Sequence, residues 1–553
     1  MPYKQLHKFC LRAKLTIGLC LSFLAGYLAL GLVDLQANEI KFKCRAWQAG
    51  DAHTQGLTVG NIQIEAGNVF NPSLPEENHW YHQLTNQLHL KTQDKVIAKA
   101  LLFKTGEPFN LSLLAESERL LRAQKHLKDA QVNIQQICGQ QVNLQVITTD
   151  NWTLAPALSF GRSGGNNSSS LSLEEHNLLG LGKELSLGFK QDEERNQTKL
   201  TYNDPQVLGT RYHLLLGLQN NSDGKGHQFR IGFPFYKLAK QRAWGLESMA
   251  LRQVVSNYAE GEVTKKIDLE TQQYSIFYGW SPEKTSQFTE RYRLGWQQEN
   301  RRYFPSTNTL ETWPESKQAY PWFSYELIED NFTTRENFKT MGRTEDIALG
   351  HQFLIGAGFL HSDFGSDHSY FKLFSRYSKG YSPANNQLSL VTADATAWLG
   401  EGPYRGLRAK LGAEWNLYNS AAASWHLSGE LQTADNLQAG EQLLLGGDHG
   451  LRGYPKGYRS GEHRVIINAE RRFYFKQNPL GFLKIGAAAF VDAGTIWGRG
   501  QTAQWFADVG IGLRITPTRS SRGKIIHVDL ALPFSTHGKI DEYQILVGTG
   551  VEF

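Results

Sequence analysis

Cysteine is scarce in this chain. Four occur in 553 residues, at positions 10, 20, 44 and 138. No Cys-x-x-Cys pair or histidine cluster accompanies them, so the sequence predicts no metal site. It also lacks a phosphate loop and a zinc-protease motif. Gly180-Leu-Gly182 is followed by no helix, which excludes a dinucleotide fingerprint, and no cofactor is expected. The net charge is only +5 and no basic run stands out, which argues against nucleic acid as a partner. Hydrophobic content is 40% and mean hydropathy is −0.43, too polar for a bundle of membrane helices. A transmembrane barrel fits such a composition, because half of each strand faces water.

What is present is alternation. From Trp152 onward, short segments with period-two patterning are separated by Gly, Asn and Asp turns, as in Thr198–Asn203 and Gly406–Trp415. About 400 residues of this pattern predict a closed sheet, since an open one would leave edges unpaired in lipid. The count is about seven segments before residue 256, about eight from there to residue 440, and about five beyond. In the final segment Tyr543, Ile545, Val547, Val551 and Phe553 share one face, and Gln544, Gly548, Gly550 and Glu552 the other. An apolar outer face, a polar inner face and a terminal aromatic ring suit a barrel wall in an outer membrane. Residues 151–553 are assigned to this barrel.

Residues 1–37 read as an export signal. Lys4, Lys8, Arg12 and Lys14 precede the apolar run Leu15–Val33, and Leu35-Gln36-Ala37 is a passable cleavage site. An uncleaved anchor is the alternative. Residues 38–56 form a tail. In an oxidising periplasm Cys44 and Cys138 would either close one disulfide or stay as two thiols.

Residues 57–150 have a different texture. Leu57–Ala66 alternates as a strand, and a polar stretch follows from Asn68 to Asn78. Asp94–Phe103 and Leu111–Leu127 carry helical periodicity, broken at Gly106-Glu107-Pro108. Val132–Ile137 and Val142–Thr148 alternate again. The order β-α-α-β-β predicts a small α+β module. With Val96-Ile97, Gly106-Glu107-Pro108-Phe109 and Glu116–Arg122 in place, the segment resembles a POTRA domain, a polypeptide-transport-associated module.

Four further places resemble the outer-membrane assembly-factor superfamily that contains BamA- and TamA-type insertases and two-partner secretion transporters. They are Glu175–Gly182 leading to Tyr202–Pro205, then Gly446-Gly447 with Leu451-Arg452-Gly453-Tyr454, then Phe490–Trp497, and the C-terminal strand. The resemblance implies about sixteen strands, always an even number in such barrels. It implies that Arg452, on a loop folded into the lumen, pairs with Glu470 and Asp492, and that Gly453 permits a tight turn beside Tyr454. An arginine inside a lumen needs such acids, and its planar fork suits carboxylates. These residues are read as a structural latch.

Gly161-Arg162-Ser163-Gly164-Gly165 formally matches a nucleophile elbow. That motif needs a strand-to-helix turn, whereas this one lies between two alternating segments. A hairpin is expected there, and no catalytic residue. The resemblance implies a monomeric barrel in Gram-negative outer-membrane lipid. It would receive unfolded outer-membrane or secreted clients through a periplasmic POTRA. A channel or surface-binding barrel without assembly activity is the competing reading.

Overall fold

The computed structural model describes residues 44–48, 56–283, 287–305, 313–400, 405–476, 478, 481–535 and 540–550. Residues 1–37, read as an export signal, most of the tail, Val551 and Phe553 lie outside the described residues.

The N-terminal domain is a four-stranded sheet with helices on one face. Its strands are β1 (Cys44–Ala46), β2 (Thr58–Gly67), β3 (Leu127–Cys138) and β4 (Gln141–Asp150), in the order β1-β3-β4-β2. Helices α1 (Trp80–Leu88), α2 (Asp94–Ala100) and α3 (Leu111–Arg122) lie between β2 and β3. Alternation on β4 sends Val142, Leu144 and Val146 into a core with Ile97, Leu114 and Leu121. Asn110 caps α3 by accepting the Ser112 N–H at 2.9 Å. The β-α-α-β-β order expected from sequence is present with two additions, β1 and α1. The sulfurs of Cys44 and Cys138 are bonded, stapling β1 to the end of β3.

Residues Leu154–Gly550 build a closed antiparallel barrel of twenty strands. Seven strands begin before residue 256, eight lie between Glu262 and Ala434, and five follow His463. The segment count allows either about sixteen strands, with the extra segments as arms of long loops, or a wider barrel of about twenty, and the wall is the wider one. Outward positions carry apolar side chains such as Leu218, Ile276, Leu294, Leu373, Leu411 and Ile511, all exposed to the surroundings of the barrel. The inner face carries Arg, Glu, Asn and Gly. That alternation is the signature of strands between lipid and a wet lumen. On the last strand Tyr543 and Ile545 point outward and Gln544 is buried, as the alternation predicted. The described part of that strand is Gln544–Gly550, shorter than Tyr543–Phe553.

Two connections enter the lumen from opposite rims. The loop 435–462 folds in from the far rim and carries a short sheet, Leu443–Leu445 with Arg459–Gly461. A hairpin, Phe332–Glu336 with Thr344–Ala348, folds in from the proximal rim, where the N-terminal domain sits. It belongs to no barrel sheet, and the flanking strands Ser316–Glu329 and Gln352–Leu360 pair directly with each other.

Candidate functional site

The long loop is tied to the wall at several points, among them Glu441 with Arg301 at 2.7 Å and Arg408 at 2.6 Å, and Arg452 with two acids. Arg452 donates from Nε and Nη2 to the two carboxylate oxygens of Asp492, both at 2.7 Å, and from Nη1 to Glu470 at 2.8 Å. Its guanidinium lies 3.4 Å from the Phe490 ring centroid. Glu470 and Asp492 sit on the adjacent strands His463–Tyr474 and Leu483–Trp497, so the sheet presents both acids to the loop. Asp492 is fully shielded from solvent, and charges so placed need a partner of this geometry. Asn468 donates to the same carboxylate at 2.8 Å.

Gly453 lies in the expected turn, closed by the Tyr454 N–H donating to the Leu451 carbonyl at 3.3 Å, and it also approaches the wall closely. Its φ is not in the left-handed region; a Cβ there would lie 2.7 Å from the Asp508 Cβ and 3.1 Å from the Pro533 nitrogen. The loop backbone passes too close to the wall for any side chain. Asp508 accepts the Gly453 N–H at 2.9 Å. Tyr454 is buried, and its hydroxyl donates to the Ala507 carbonyl at 3.1 Å. The positive-φ glycines of the loop are Gly440, Gly446, Gly447, Gly450 and Gly457. Sequence reasoning missed Asp508 and Arg472. Asp508 is the cross-strand neighbour of Asp492, and that register is invisible without the sheet. Arg472 donates to Glu470 at 3.0 Å and was legible as the next inward position on the same strand.

The second feature is the barrel seam. The last strand pairs with Ile525–Pro533 over seven residues. With the first strand, Leu154–Ser163, it shares one registered partner among the described residues, Val547 opposite Arg162. Gly161–Gly165 closes the first hairpin, with Gly164 and Gly165 at positive φ and no helix after them, so the elbow geometry is not formed.

The third feature joins the N-terminal domain to the proximal rim. Asp150 accepts from the Thr92 N–H at 2.8 Å and contacts the His89 Nε2 at 2.8 Å. Asn177, in the turn 176–183, donates to Thr92 Oγ1 at 2.9 Å. Gly182 packs on His126, where a Cβ would come 2.9 Å from the ring. The stretch Glu175–Gly182 is thus the seat of this joint. Burial pushes the His126 imidazole down to about 4, although Asp150 and Glu184 pull the other way. For His176, burial is outweighed by the carboxylates of Glu174, 3.2 Å from Nε2, and Glu184, 3.6 Å from Nδ1, and its pKa is raised.

A closed strand wall with an apolar exterior and a latched luminal loop defines an outer-membrane β-barrel of the assembly and transport class. The Omp85 superfamily domain matches residues 177–553, and the chain belongs to that superfamily. Similar solved structures include BamA from Haemophilus ducreyi lacking POTRA domains 1–3, at 13% identity over 89% of this chain and 85% of that one, TM-score 0.37. CdiB from Acinetobacter baumannii has 13% identity over 89% and 73%, TM-score 0.43. CdiB from Escherichia coli has 11% identity over 92% and 80%, TM-score 0.44. No curated protein matches the chain.

Proposed function

We propose that this chain receives unfolded clients at the outer membrane and inserts or exports them through its barrel. In this reading residues 1–37 are the export signal and 57–150 are a single POTRA domain. The proximal rim faces the periplasm, and residues 151–553 form a monomeric barrel. The POTRA offers a strand edge to an extended client, whose main-chain hydrogen bonds make binding tolerant of sequence.

The observation that carries the reading is the seam. Among the described residues one registered partner joins its two strands, against seven on the other side of the last strand. Barrel closure in lipid requires paired edges, so a short seam is the place where the wall opens at least cost. Gly548 adds no side-chain packing; a Cβ there would meet nothing within 4 Å. The outward apolar run is short on the strand next to the first. On the strand Asn166–Glu175 the outward residues Leu171 and Leu173 are flanked by Asn167, Ser169 and Glu175. A short run favours local thinning of the bilayer, which eases strand insertion. The sequence carries no nucleotide loop, so the driving free energy comes from client folding and burial. The Arg452 latch keeps the long loop seated while the seam moves.

Deleting the gene and comparing outer-membrane and secreted proteomes with wild type tests this. Loss of one or a few barrel or exported proteins is expected. Unchanged profiles would overturn client handling.

A further inference from the structure

The proximal hairpin is not accounted for by client handling at the seam. It fills the lumen where the barrel is wider than the resemblance implied. Its tip reaches the wall at two carbonyls. Asn337 accepts from the Tyr474 hydroxyl at 3.2 Å, and Phe338 accepts from Arg472 at 3.3 Å. Phe338 and Ile347 are buried against Leu388, on the strand Gln387–Gly400. Met341 is buried with Tyr474, Ala488 and Ile525. Glu345 holds the tip in shape by accepting the backbone N–H groups of Phe338, Lys339 and Thr340, each at 3.1 Å.

The N-terminal domain grips the hairpin along its length, from its base to the turn. Arg122, in the last turn of α3, donates from Nε and Nη2 to the two oxygens of Asp346 at 2.8 and 2.7 Å. This fork is well shielded, with side-chain exposures of 9% and 17%. Arg119 lies 4.1 Å from the Phe332 ring centroid and 3.3 Å from Asp330. In return Arg343 donates to the carbonyls of Arg122 and Leu127 at 3.0 and 3.2 Å. These contacts join two parts of the chain more than 200 residues apart.

Beyond the tip the lumen is open and polar. A cavity of about 680 Å³ runs from Lys339 of the hairpin past Lys410, Glu430 and Arg464 to Gln442 and Asp448 of the long loop. A second, of about 300 Å³, joins Phe338 to Arg452 and Glu470. Charges of both signs line this space, which suits water and small ions and not an apolar ligand.

We infer that the hairpin 332–348 is a gate on a water-filled passage beside the long loop, and that the N-terminal domain is its handle through Arg122 and Asp346. Displacing the domain withdraws Asp346, frees the tip and opens the lumen. The passage and its gate are separate from the seam, so they stand whether or not the seam admits clients.

The test is ion conductance of the full chain in planar lipid bilayers, with potassium chloride as the probe. Wild type is expected to be mostly closed. Asp346→Asn removes the hairpin half of the fork and leaves the N-terminal domain intact. It should raise open probability by about tenfold or more. The exchange Arg122→Asp with Asp346→Arg should return it toward wild type. Replacing residues 333–347 with a short Gly-Ser turn should give a steadily open pore. Folding of each variant is checked by its heat-dependent gel migration. Wild-type closure persisting in both Asp346→Asn and the hairpin replacement would overturn the gate.

Discussion

Replacing Arg452 with alanine should loosen the seat of the long loop, which still keeps the Glu441 pairs to Arg301 and Arg408. The native guanidinium makes three bonds of 2.7–2.8 Å to two carboxylates that are almost fully shielded. Removing one side of a buried pair costs about 3–5 kcal/mol, because the other side stays desolvated and unpaired. The low end applies here. Glu470 keeps Arg472 at 3.0 Å, and Asp492 keeps the Asn468 amide at 2.8 Å. A loss of about 3 kcal/mol shifts the balance between seated and released loop by roughly 100-fold. Lysine at 452 restores the charge without the fork and should fall between the two. Lys456 and Arg459 lie within the loop and are only partly exposed, so trypsin reports on its position. In proteoliposomes the wild-type loop should resist cleavage, and Arg452→Ala should be cut there. Equal cleavage rates in folded wild type and Arg452→Ala would refute the latch.

Gly453→Ala should destabilise the seated loop by about 1–3 kcal/mol, since the added methyl meets the wall at Asp508 and Pro533; it should raise trypsin cleavage without altering any charge. Replacing Cys44 and Cys138 by serine opens a loop of sequence separation 94 and should lower the urea stability of the N-terminal domain by up to about 4 kcal/mol. An unchanged urea midpoint would contradict that. His126 is held neutral by burial, with a pKa of about 4 against about 6.5 unfolded. Its contribution is complete above pH 6.5 and is lost as pH falls to about 4, to a limit of about 3 kcal/mol. His176, with its raised pKa, works in the opposite sense. Denaturation of the domain between pH 7 and 4.5 should therefore be less acid-sensitive in His126→Gln than in wild type, and identical slopes would refute the assignment.

The barrel was legible because its alternation is local: each outward leucine lies two residues from the next. The strand number was legible only in part: the segments could be counted, but arms of long loops and strands of a wider barrel alternate alike. Arg452, Glu470 and Asp492 were found through motif order, which gave the turn at Gly453 but not its close approach to the wall. Close approach of a loop to a wall depends on strands far apart in sequence, and no local pattern encodes it. Helix α1 was missed because its polarity is reversed. Trp80, Leu84 and Leu88 are exposed while His82 is fully buried, stacked on Phe70 at 4.0 Å. An amphipathic search places the core on the wrong face of such a helix. The luminal hairpin reads like any strand pair; only the direct pairing of its flanking strands marks it as an insert.

The central claim is that the seam between the first and last strands opens. Arg162 and Val547 face each other across it, so Arg162→Cys with Val547→Cys can be oxidised to a bond that locks the wall. Single-cysteine variants and wild type under the same reductant account for the native Cys44–Cys138 bond. In a host lacking the native gene, the account predicts that the locked barrel fails to restore the outer-membrane and secreted proteomes and that reduction restores them. Full restoration by a barrel shown to be locked would contradict it.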